Sequence, residues 1–149
     1  MKGLDMSRLI NEQSQENIDA ALARVSSIDF SKINAKLESH YGVSRDQVEM
    51  MSDIYRKWLT LHMCYPDVEL TPNEILDEYW HAHILDTRAY ASDCEKLFGS
   101  YLHHYPYFGL EGDADARDAG FELTNALFKK HFGSELIGIA NPCKSTDCR

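Results

Sequence analysis

Between residues 71 and 109 the chain concentrates side chains that can ligate a metal or move a proton. His81, His83, His103 and His104 are there, with Asp77, Glu78, Asp86, Tyr90 and Cys94. Asp77 and His81 are four residues apart and project from one helical face. Glu78 and His81 have the Glu-x-x-His spacing by which helical bundles present a carboxylate and an imidazole together. His83 lies about 200° around a helix from His81, so the two do not readily share one ion. Two polar clusters are therefore expected. One is Asp77 or Glu78 with His81. The other is His83, Asp86 and Tyr90, with Cys94 further along. His103 or His104 can complete either. One carboxylate and two imidazoles with open positions suit non-haem Fe(II), and the same donors with a thiolate suit Zn²⁺.

Each residue also has a plainer role open to it. An Asp four residues before a His is a common helix-surface pair. His83, on an apolar seam, fits a core histidine bonded to Asp86 or to a carbonyl. Tyr79, Trp80 and Tyr90 fit a core with their polar tips bonded. Cys94 packs as a small hydrophobe, and His103 with His104 can simply turn a loop over an aromatic cluster. Cys143 and Cys148 are too few to close a zinc site by themselves. There is no Gly-x-Ser-x-Gly elbow and no glycine-rich phosphate loop.

Helices must position these groups. Ile18, Ala21, Leu22 and Val25 recur at helical spacing after Ser14, and Phe30, Ile33 and Leu37 do so up to a stop at Gly42. Ser44 and Gln47 form a capping box ahead of Val48, Met51, Ile54, Tyr55, Trp58 and Leu61. Thr71-Pro72-Asn73-Glu74 reads as a start, with Thr71 as the cap and Pro72 in the first turn. From there the spacing predicts one helix of about 26 residues, roughly 40 Å long, ending at Gly99. Its seam is Leu76, Trp80, His83, Thr87, Tyr90, Cys94 and Leu97. A last helix is expected from Asp113 to Phe132, closed by Gly133. The expected fold is all-α: a single-domain bundle of about five helices around a long central helix. Its domain spans 14–135, between a frayed N-terminus (1–13) and a loosely held, cysteine-containing tail (136–149).

The chain has 149 residues, 44% hydrophobic and 26% charged, enough for one core without disulfide staples. A formal net charge of −9 argues against nucleic acid and anionic membrane as partners. Without a membrane-length apolar run or an apolar leader at the start, a cytoplasmic location is the expectation.

The segment from Leu76 to Leu85 resembles the glycine-rich domain-containing protein-like family, whose members carry D-x-x-W-H-x-H, a later Tyr and a later His. Here these are Asp77, Trp80, His81, His83, Tyr90 and His104, and the resemblance covers roughly residues 45–110. It implies a helical domain in which these residues, Trp80 aside, act as a unit. The glycine-rich region of the larger members is absent. The resulting expectation is a divalent metal, Fe(II) in preference to Zn²⁺, held by Asp77, His81 and His104. Tyr90 stands beside it as proton donor or hydrogen-bond partner, and His83 as a catalytic group or alternative ligand. Such a site would oxidise a small molecule or peptide. The alternative is a non-enzymatic module whose histidines brace the fold and whose aromatic loop docks a protein.

Overall fold

The computed structural model describes residues 12–107, 110 and 112–136. Among them are six helices and no strand: α1 (Gln15–Ser26), α2 (Ser31–Tyr41), α3 (Arg45–Cys64), α4 (Glu74–Leu85), α5 (Thr87–Phe98) and α6 (Ala114–Phe132). The all-α bundle is as expected. The frayed start and the cysteine tail, with Cys143 and Cys148, fall almost wholly outside the described residues. No helix among those described is long and apolar enough to cross a membrane.

Local chemistry sets most boundaries. Ser44 accepts from the Gln47 amide while the Gln47 side chain accepts from the Ser44 amide, so the capping box opens α3. Gly42 closes α2 at φ +64°, a left-handed position where a side chain would be strained. The twenty-residue α3 packs against α1, α2, α4 and α6. It contributes Tyr55, Trp58 and Leu61 to the core, all 0% exposed. Full burial of such side chains contributes about 2–3 kcal/mol each. Arg56, also on α3, donates to the carbonyls of Val25 and Ile28 and ties down the end of α1.

Two expectations for the central segment are corrected. The cap of α4 is Asn73, whose side chain accepts from the Leu76 amide at 2.8 Å; Thr71 and Pro72 precede the helix. Thr71 is instead buried beneath α6, where a Cβ on Gly120 would clash with its hydroxyl. The single helix to Gly99 is also two helices, α4 and α5. Asp86 leaves helical geometry at ψ 75° and turns its carboxylate to the Ala89 amide, capping α5. A short polar side chain competes in this way with the backbone ladder. Thr87, next in line, is the exposed member of an otherwise buried seam.

Candidate metal centre

The break at Asp86 brings together groups that a straight helix would hold apart. His83 and Asp93 would be about 15 Å apart along a continuous helix of ordinary rise. Instead His83 Nε2 lies 2.8 Å from Asp93 Oδ2, and His83 Nδ1 lies 2.7 Å from the Tyr55 hydroxyl. The carboxylate only accepts, so the His83 proton is on Nε2 and Nδ1 accepts from Tyr55 O–H. Burial lowers the His83 pKa against the opposing pull of Asp93, and burial raises that of Tyr55 well above its usual value. Every polar atom of this imidazole is engaged.

Tyr90 belongs to the same helix pair. Its hydroxyl accepts from Trp80 Nε1 at 2.9 Å and donates to the carbonyl of Leu102. That bond fastens the 99–107 loop to the bundle just before His104. The Trp80 indole stacks on the His104 ring, with centroids 4.1 Å apart and planes at 28°. Both contacts aim His104 at α4.

There it meets Asp77 and His81. His104 Nε2 is 2.8 Å from Asp77 Oδ1, His81 Nε2 is 2.9 Å from Asp77 Oδ2, and the two Nε2 atoms are 3.2 Å apart. Their side chains are 9%, 3% and 16% exposed for His104, Asp77 and His81. Burial by itself would raise the Asp77 carboxyl, but hydrogen bonds from His104 and His81, with their charge, outweigh it and hold the group below the usual carboxylate value. One ligand atom from each residue can converge on a single ion.

Hydrogen bonding serves the carboxylate, with one imidazole N–H on each oxygen, but it crowds the two donors together. Each Nε2 faces an ionised carboxylate oxygen, so each must carry a proton to bond it. The two N–H groups, each on its own oxygen, then lie crowded with their nitrogens 3.2 Å apart. Removing either proton sets a nitrogen lone pair against an oxygen lone pair. A cation accepts all the lone pairs at once. The N···N separation falls between about 3.0 Å, for bonds of about 2.1 Å at right angles, and about 3.4 Å for a tetrahedral pair.

Asp77, His81 and His104 therefore assemble. His83 and Tyr90 lie in the adjoining network, with all their polar atoms engaged there. Glu78 is exposed and is not the carboxylate that His81 meets. His103 is exposed as well and packs on Tyr101. Asp86 caps α5 and reaches the His83 imidazole only through its charge; the hydrogen bond to the ring is taken by Asp93. Cys94 is buried, its thiol pKa raised by that burial, and is not part of the Asp77–His81–His104 group. Asp93 and Tyr55 were missed because their contacts depend on the Asp86 break and on α3. The Asp-Thr pair at 86–87, a good cap sequence, was the available signal.

Two cavities meet this cluster. One, of about 360 Å³, is lined by Asp77, His104 and Trp80 together with His62 and Arg117. The other, of about 590 Å³, reaches His81 and His104 between Leu37, Tyr41, Val43 and Leu85.

Among known proteins, a family model described as UCP032817-like matches residues 20–133. This overturns the resemblance to the glycine-rich domain-containing protein-like family, which rested on the short D-x-x-W-H-x-H segment. A motif of that length is carried by local helix geometry, whereas this match spans nearly the whole bundle. No curated protein and no solved structure matches the chain significantly.

Proposed function

We propose that this chain, which belongs to the UCP032817-like family, is a metalloprotein in which Asp77, His81 and His104 hold one divalent cation. The observation that carries the reading is the pair of imidazole nitrogens 3.2 Å apart, both turned to one buried carboxylate. Fe(II) is preferred over Zn²⁺ because the donors are two imidazoles and a carboxylate without thiolate. Bound Fe(II) would supply oxygen-dependent oxidation of a small molecule or peptide. The chain's own residues then do the positioning. Trp80 holds the His104 ring by stacking, Tyr90 holds the loop that carries it, and His83 braces α4 against α5 through Asp93. His83 and Tyr90 thus act through other groups. The test is elemental analysis of untagged protein purified without chelator, beside His81→Ala. Near-stoichiometric iron that disappears in the variant supports the reading, and zinc in its place would favour a hydrolytic or structural centre.

A second reading has its own observation. Tyr101, Tyr105 and Tyr107 are 43%, 49% and 54% exposed on one loop, an aromatic surface suited to a protein partner. Protein free of metal, with thermal stability unmoved by added Fe²⁺ or Zn²⁺, would leave this interaction module as the better account.

A further inference from the structure

The cavity beside Asp77 and His104 contains a positive charge that the protein does not neutralise well. The Arg117 side chain is 13% exposed and lines that cavity. Its ion pair among the described residues is with its sequence neighbour Asp118, a carboxylate 55% exposed and 3.5 Å from Nε. Arg117 Nε has no hydrogen-bond partner there. A guanidinium drawn this far out of water is costly unless an anion meets it. The other cavity offers no such group; its charged wall residue outside the cluster is Glu78.

We propose that the 360 Å³ cavity binds a small monocarboxylic acid with a flat apolar body, its carboxylate on Arg117 and its body against Trp80. This deepens the metal reading and rests on it for the location of the reacting centre. A guanidinium presents paired donors that match a carboxylate. Leu102, Pro72 and Pro106 supply further apolar wall, and His62 contributes a neutral imidazole. Its pKa is pulled down to about 3 by burial, and its Nε2 lacks a partner among the described residues. Asp67 and Glu69 also line the cavity but are exposed, so water screens them at its mouth. They disfavour a phosphate dianion and leave a singly charged acid as the better fit. The volume suits a small molecule.

Both tryptophans of the chain, Trp58 and Trp80, line this cavity, so intrinsic fluorescence reports on it directly. Phenylacetate is the probe and phenylacetamide its uncharged counterpart. The expected result is a saturable fluorescence change with phenylacetate. The apparent affinity should be at least about tenfold weaker for phenylacetamide, and for phenylacetate with Arg117→Gln. Arg117→Lys should fall between, and circular dichroism should show unchanged helix content. Equal responses to acid and amide, no saturable response to the acid, or full retention in Arg117→Gln would each overturn the proposal. If Arg117→Gln does not fold, the acid–amide comparison on the unaltered protein decides. Metal content of the same preparations separates the two readings. Arg117→Gln should keep its metal while losing the acid, whereas absence of metal from the unaltered protein would defeat the earlier reading whatever phenylacetate does.

Discussion

Two histidines, two residues apart on α4, enter opposite kinds of site. His83 is 2% exposed, with Tyr55 on one nitrogen and Asp93 on the other, and each proton in the set has an acceptor. His81 shares Asp77 with His104, two imidazole nitrogens crowded 3.2 Å apart on one carboxylate, and cavities open on both sides of the cluster. The contrast follows from helix geometry, since a two-residue step carries a side chain to the far face. One face meets α3 and α5 and closes; the other meets a loop and stays open. A closed histidine network holds a fold together, whereas an open one with converging lone pairs is suited to a ligand. The pair of sites shows that an imidazole beside a carboxylate is ambiguous until its second nitrogen and its neighbours are known.

The comparison can be broken most directly at the open site. His81→Ala, or Asp77→Asn, should take metal content from near one equivalent to near zero while the helical signal in circular dichroism is preserved. Plasma emission spectroscopy on the purified variants reads this, and retained metal in both would remove the distinction between the clusters. The reciprocal change, His83→Ala, should leave metal bound but lower stability by about 3 kcal/mol, because Asp93 and Tyr55 lose their buried partner. Urea unfolding measures it. A fully stable His83→Ala protein would show that the closed network is dispensable.

A third histidine sharpens the point through pH. His62 is neutral in the fold, with a pKa pulled to about 3 by burial, whereas in the unfolded chain it titrates near its ordinary value. The unfolded state therefore takes up the proton first. His62 leaves stability unaffected above about pH 6.5 and subtracts from it increasingly as pH falls towards 3, by about 2 kcal/mol at pH 5. His62→Leu should flatten urea-derived stability between pH 6.5 and 4 by close to one proton. An unchanged slope would show that the ring is solvated.

The smallest effect belongs to the link between the two sites. Tyr90→Phe leaves the Trp80 N–H and the Leu102 carbonyl without their partner and should reduce stability by about 1 kcal/mol. By loosening the loop that carries His104, it should also weaken metal affinity by about tenfold. Competition against a chromophoric chelator measures that change, and Tyr90→Phe with unaltered affinity would separate the loop anchor from the centre.

Much of the scaffold was legible from residue order because it is local. Ser44 with Gln47, and glycines at 42, 99 and 133, mark helix ends through bonds and backbone angles within a few residues. The pairing of Asp77 with His81 was legible for the same reason, since four residues along a helix place two side chains side by side. The break at Asp86 was not, because the apolar seam continued in register on both sides and its period gave no sign of an interruption. With it went the pairing of His83 with Asp93.

Sequence alone determined the all-helical class, most helix ends, the buried faces and the fact that one turn of α4 would carry a carboxylate and an imidazole on the same side. Only the tertiary structure decided which second imidazole joins them. It brought in His104 through a loop anchored by Tyr90 and stacked under Trp80, and it left His103 in solvent. Likewise it turned Arg117 of α6 into the wall of the same cavity as Asp77 of α4. The physical reason is range. Helix propensity, capping and i, i+4 contacts act within about one turn, whereas a ligand set drawn from a helix and a distant loop exists only after the core has packed and fixed their separation.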